Sequence, residues 1–371
     1  MINRLLIAER GEAAVRIART CKRLGIGTVT LRAEVDTDEA LHVDASDETR
    51  PLVTDPEALV ALAAECEADA IHPGYAENVR SDLVRAAASA GVTLVAASAD
   101  ARAACTDPAH LARGAEQAGL RRVPEEPLHR PRRIDVVAVA DAHGTAAALG
   151  EMELLLSEGG TTVLAEAPSP ALLMSHEQEA LRQAMDEGTE RLLTELGVCG
   201  VAQVGYLLDM DGHFWLDEVV PGLPSLHAPI EMITGLDLVE LQLRATAGDA
   251  LDPELQSLQP TGHAFVTSVQ AVSAPGAVAV TDLRWPPAPH GRLRVDPSTR
   301  VGEVPEDTLL LKMATVAPVR HLALLTLDRV LAATTAAPYE INVSHLRALL
   351  NDESFRAGQY DTSFVERVAA A

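Results

Sequence analysis

At 371 residues the chain is long enough for two domains, or for one large α/β body with sizeable cores. It is 47% hydrophobic but only 3% aromatic, so those cores must be built mainly from Ala, Leu and Val. A formal net charge of -24 argues against a nucleic-acid partner, which needs stripes of Lys and Arg, and no apolar run reaches membrane-spanning length. Arg4–Ala8 reads as a short buried strand followed at once by charges, unlike a signal peptide. A helix follows on which Ala14, Ile17, Ala18, Cys21 and Leu24 share one face, and Gly25 ends it. Strand Gly27–Leu31 comes next. Further units pair helix Pro56–Cys66 with strand Ala68–Ile71, then helix Arg80–Ala90 with strand Val92–Val95 and helix Pro108–Ala118. Alternation of this kind predicts a parallel sheet covered on both faces, over residues 1–122.

The stretch 123–133 is Pro-rich and charged, a linker by composition. Beyond it, Ile134–Asp141 and Thr145–Leu149 predict a hairpin, and Glu177–Gly197 a long helix with Leu181, Met185, Leu192 and Leu196 apolar. A second hairpin runs from Val204 to Asp217 around a Met-Asp-Gly turn. The run from Glu231 reads as the start of a helix that Thr234 caps. From Thr261 onward antiparallel strands give way to helices near 318–333 and 343–350. Cys21, Cys66, Cys105 and Cys199 are scattered without a C-x-x-C pair, as expected of reduced thiols in a cytoplasmic protein.

Several stretches resemble the biotin carboxylases, the ATP-grasp enzymes that carboxylate biotin. The opening Ile7-Ala-Glu-Arg-Gly-Glu12 is similar to that family's Ile-Ala-Asn-Arg-Gly-Glu, and Ala70-Ile-His-Pro-Gly-Tyr75 matches its Ala-Ile-His-Pro-Gly-Tyr. Glu166-Ala-Pro-Ser-Pro170, Glu231-Met-Ile-Thr-Gly235 and the tail from Asp352 also fall in the family's order. The resemblance implies an α/β plus α+β architecture: a Rossmann-like (pre-ATP-grasp) N-terminal domain at 1–122, a remnant ATP-grasp core at 134–260 and a C-terminal domain at 261–371 with a mixed or antiparallel sheet. The family's ATP lid cannot fit within 125–129, so the lid reads as deleted.

The same resemblance implies that most of the family's chemistry is missing. Carboxylation needs cations for the ATP phosphates, oxygen ligands for Mg²⁺, a cation for the biotin oxyanion and a base for bicarbonate. Pro108 follows Asp107 where the family has lysine, which leaves Asp107 as a helix cap. One metal glutamate corresponds to Gly205 and the other to Glu218, with Asp217 beside it. Adjacent carboxylates on a strand face opposite ways and cannot chelate together without a bulge. The bicarbonate and biotin groups correspond to Gly159–Thr162, Val220, Gly222, Pro224, Leu226 and Ser268, none of them charged.

The expected protein is therefore a biotin-carboxylase-like pseudoenzyme that uses none of ATP, Mg²⁺ or biotin. It would serve as a structural or regulatory subunit of an acyl-CoA carboxylase assembly, as a homodimer or as a heterodimer with a carboxylase subunit, with a biotinylated carrier protein as a further partner. Arg19 matches a charged interface position of the family. The alternative is an ATP-independent enzyme acting on a small carboxylated or carrier-bound substrate. It would use His213 or His227 with Asp217 or Glu218, with Tyr206 and His263 nearby; Glu218 is also the one candidate for a weak metal site. His72, in a tight turn, reads as structural.

Overall fold

The computed structural model describes residues 2–157, 161–173, 175–273, 278–288, 291–305 and 307–369. The first part is built from β1 (Arg4–Ile7), α1 (Gly11–Leu24), β2 (Gly27–Arg32), α2 (Leu41–Asp44), β3 (Glu48–Pro51), α3 (Pro56–Glu65), β4 (Ala70–His72), α4 (Ser81–Ala90), β5 (Thr93–Leu94), α5 (Ala99–Thr106) and α6 (Pro108–Ala118). Its five strands are all parallel, in the order β3-β2-β1-β4-β5. Leu5, Leu6 and Ile7 on the central strand are fully buried, each worth about 1.5–3 kcal/mol of transfer free energy. Gly25 ends α1 in the left-handed region, as glycine does at helix C-termini. Asp107 caps α6 by accepting a hydrogen bond from the His110 amide at 2.7 Å.

The second part contains β6 (Arg132–Ala140), β7 (Ala146–Leu156), β8 (Thr162–Ala167), α7 (His176–Glu195), β9 (Gly200–Leu208), β10 (Phe214–Pro221), α8 (Ala228–Thr234), α9 (Leu238–Thr246), β11 (His263–Ser273), β12 (Asp282–Arg284), β13 (Arg292–Pro297) and β14 (Leu309–Ala317). It closes with α10 (Arg320–Ala332), β15 (Thr335–Ala337), β16 (Glu340–Ile341), α11 (Val343–Asn351), α12 (Glu353–Arg356) and α13 (Phe364–Ala369). One antiparallel sheet runs β10-β9-β6-β7-β8-β11-β14-β13, so it passes from one side of residue 260 to the other through the pairing of β8 with β11. Helices α5, α6 and α7 pack on one face of the β6–β9 region around Val136, Leu192 and Tyr206. On the other face Val137 and Leu149 share a core with Ile17 of α1 and Ile230 of α8. That shared core joins the two parts. Among the described residues no helix is long and apolar enough to cross a membrane, and all four cysteines are free thiols.

Three details differ from the sequence reading. β6 begins at Arg132, two residues inside the stretch read as linker, because Arg132 and Arg133 pair with buried acids of the sheet. Thr234 closes α8 rather than capping the next helix. Asp237 does that, its carboxylate accepting from the Glu240 amide at 3.1 Å. The β9–β10 pairing also slips between Leu216 and Glu218, so Asp217 sits in a bulge.

Candidate functional site

Asp217 and Glu218, expected on opposite faces, meet at one side chain because of that bulge. Arg133 on β6 donates from Nη1 to Asp217 and from Nη2 to Glu218 at 2.6 Å, while its Nε donates to Asp135. The Arg133 side chain is 7% exposed, Asp135 is fully buried, and Glu218 remains 54% exposed. Burial opposes the charge on Arg133, but Asp135, Glu218 and Asp217 outweigh it and hold its pKa above the ordinary value. Gly205, on the strand between β6 and β10, is what makes room: a Cβ there would overlap the Arg133 guanidinium.

The loop that follows β10 is a packed wall. Pro221, Gly222, Leu223, Pro224, Leu226 and His227 are buried, with Ser225 half-buried. Gly222, at φ 133°, lies so close to Ala76 that a Cβ would come within 2.9 Å of it. The carbonyls of this wall have donors: Arg102 for Pro221, the Ala76 amide for Leu223 and Lys312 for Ser225. The Lys312 ammonium also pairs with Glu12 at 2.7 Å and sits over the Tyr75 ring, whose hydroxyl donates to the same Glu12.

His227 belongs to a buried ionic seam between α1, α8 and β13. Its Nδ1 lies 2.8 Å from the Pro224 carbonyl, an acceptor only, so Nδ1 carries the proton and Nε2 accepts. Nε2 receives Arg16 at 3.3 Å and Arg294 at 3.2 Å. Burial, with the two arginines, pushes the imidazole down to about 4 against the pull of Glu231, so it is neutral near pH 7. Arg16 further pairs with Glu231 at 2.5 Å and Asp237 at 2.9 Å, and Arg294 pairs with Glu231 and Asp296. Arg19, 54% exposed, bonds Asp296 at 3.1 Å from the rim of this seam.

The other candidates are scattered. His213 is exposed and lies 3.5 Å from Asp209 across the β9–β10 turn. Among the described residues, Asp209, Asp211 and His213 form the one set of three donors close enough for a metal ion. Asp209, however, already accepts from the amides of residues 211 and 213 and from the Trp215 indole. Tyr206 is buried against Thr189, with its hydroxyl 2.8 Å from the Thr189 hydroxyl. His263 bonds Glu166 at 2.6 Å, and Glu166 also takes Arg320 and Tyr360. Burial pushes His72 down to about 3, and its Nδ1 accepts from the Gly74 amide. Ser268 offers its carbonyl to Asn342, and Thr162 opens β8, while Gly159 and Gly160 lie outside the described residues. Neither His213 nor His227 is hydrogen-bonded to Asp217 or Glu218; each has the partners given above.

Sequence reasoning missed Arg133, Arg16, Glu231 and Arg294. One signal was present on α1: Arg16, Thr20 and Arg23 recur one helical turn apart and all reach Asp237, a polar stripe beside the apolar face.

Comparison with known proteins points one way. Residues 1–102 match the family described as biotin carboxylase, N-terminal domain, and residues 76–254 match the carbamoyl-phosphate synthase L chain, ATP binding domain. The chain is 25% identical to the biotin carboxylase of Haemophilus influenzae over 99% of both chains. It is 26% identical to the propionyl-CoA carboxylase alpha chain of Ruegeria pomeroyi, over 98% of this chain and 68% of that one. Among solved structures, pyruvate carboxylase of Rhizobium etli superposes with a TM-score of 0.89 at 26% identity, over 100% of this chain but 39% of that one. A biotin carboxylase subunit of pyruvate carboxylase gives 0.90 at 23% identity over 100% and 99%, a likeness of fold.

Proposed function

The chain belongs to the biotin carboxylase family, and on that premise we propose that it is a non-catalytic member, a structural or regulatory subunit of an acyl-CoA carboxylase assembly. The observation that carries this reading is the position of Arg133. Gly205 and Glu218 stand where the family resemblance puts the two glutamates that hold Mg²⁺. A hard divalent ion needs oxygen donors with free lone pairs. Here one of the two positions is a glycine with no donor, and the acids that remain are matched by the Arg133 guanidinium. Thr162, Val220, Gly222, Pro224 and Leu226 bring no charge to the positions that correspond to the bicarbonate and biotin groups. These residues do not fit Mg²⁺ or biotin, and Pro108, where the resemblance puts a lysine, does not fit the ATP phosphates.

Chain length supports the same reading. The relation to the Haemophilus enzyme extends over 458 aligned positions, against 371 residues in this chain. The proposed loss of the lid falls in the stretch 123–133, most of it within the short segment that leads from α6 to β6. Subunit character is supported by the relatives, one of which is an alpha chain of a propionyl-CoA carboxylase. The alternative of a rebuilt acid–base site draws no support from the hydrogen bonds of His213 and His227.

The test has two arms. The purified chain is assayed for ADP formation that depends on both bicarbonate and free biotin, and none above the no-enzyme control is expected. The tagged chain is then recovered from its native extract, where carboxylase subunits or a biotinylated carrier should co-purify. Biotin-dependent turnover would overturn the non-catalytic reading; recovery of this chain alone would remove the subunit reading.

A further inference from the structure

A cavity of about 410 Å³ lies between the start of β7, one face of α7 and the segment 255–260. It is on the opposite side of the sheet from the Arg133 cluster, since Val136, which pairs with Glu151, alternates with Asp135 along β6. Five carboxylates line it: Glu151 from β7, and Glu179, Asp186, Glu187 and Glu190 from one face of α7. Arg182 is the single basic lining residue, and it is already paired with Glu179.

Glu151 is 3% exposed, and its Oε1 has no hydrogen-bond partner. The Oδ1 of half-buried Asp186 is likewise buried and unpartnered. Buried carboxylate oxygens are ordinarily hydrogen-bonded, so two unpaired ones lining one cavity call for donors from outside the chain. We propose that this cavity binds an aliphatic di- or polyamine whose ammonium groups pair with Glu151 and Asp186. Glu151 and Asp186 line the same cavity and are close enough for the charge of one to act on the other, so one short alkyl chain can carry an ammonium group to each. Leu258 and Pro260, which are not buried, give the methylenes an apolar surface. The volume is in the range of small-molecule sites. A single metal ion is the poorer occupant, because the one described set of three donors close enough for an ion is elsewhere, at Asp209, Asp211 and His213. Burial pushes Glu151 up to about 7, and burial together with the Glu151 charge does the same to Asp186, with Arg182 too weak a counter-cation to offset either.

The experiment is calorimetric titration of the full chain with putrescine and spermidine at mildly alkaline pH, against NaCl and MgCl₂ at matched ionic strength. Spermidine should bind saturably at one site, with affinity falling about tenfold or more in Glu151→Gln. Asp186→Asn, at a half-buried position, should lose affinity likewise and covers the case in which the first variant fails to fold. Heats that follow ionic strength alone, Mg²⁺ saturating as tightly as spermidine, or unchanged spermidine affinity in Asp186→Asn would each overturn the proposal.

Discussion

Arg16 and Arg133 each gather carboxylates from distant parts of the chain, in very different settings. Around Arg16 the partners Glu231 and Asp237 are themselves held by Arg294, Thr20 and Arg23, and the neutral His227 fills the remaining gap. Around Arg133 only Asp135 is buried, while Asp217 and Glu218 reach it from a half-exposed bulge. The seam joins α1 to α8 and β13. The Arg133 cluster lies where the family resemblance puts the metal acids. Ionic chemistry is thus dense and buried where it holds the two parts together, and half-exposed around Arg133.

Breaking the seam should have the largest effect. Arg16→Ala leaves Glu231 buried without one of its cations, and urea unfolding should register a loss of about 3–5 kcal/mol. Asp237→Asn should cost about 1.5–3 kcal/mol at neutral pH, and the cost should depend on pH. Against the opposing effect of burial, Arg16, Thr20 and Arg23 hold the Asp237 carboxyl below its usual range. Its contribution is therefore present above the unfolded pKa and is lost as pH falls through the depressed one. The gap between wild type and Asp237→Asn should close toward strongly acid pH, and a gap that instead widens there would contradict the assignment. At the other region, Gly205→Ala should cost about 1–3 kcal/mol through the overlap with Arg133. That cost should shrink in an Arg133→Ala background, the sign of direct coupling. Smallest of all, Glu218→Gln should change stability by about 0–1 kcal/mol, because its side chain is more than half exposed. A larger loss would mean that the two regions are more alike than their burial indicates.

The parallel character of the first sheet, α1 with its glycine stop and the Asp107 cap were legible because each rests on local spacing or a single turn, whereas β3 and the strand order were not. Arg133 was not. It stands in a run of Pro, Arg and Glu that composition reads as linker, and only the tertiary fold, which lays its guanidinium over Gly205, shows what it does. The bulge at Asp217 was hidden for a similar reason: a one-residue slip is set by the neighbouring strand and leaves no mark in the strand's own sequence. The seam was half legible. The polar stripe on α1 is local, but Arg294 and Glu231 meet it only through the tertiary fold.

The segment between α6 and β6 is pinned at both ends. Residues 121 and 123 exchange backbone hydrogen bonds with Leu216, and Arg130 holds Asp361 at 2.6 Å. β11, by contrast, lies inside the large sheet with β8 on one side and β14 on the other. These two junctions give the chain unequal modularity. Whatever is spliced in or out at 124–129 enters and leaves beside fixed anchors, so chain length there can vary without disturbing the body. A cut near residue 260 would strand four paired positions of β8 without their neighbours, so neither piece is a unit that recombination could carry elsewhere.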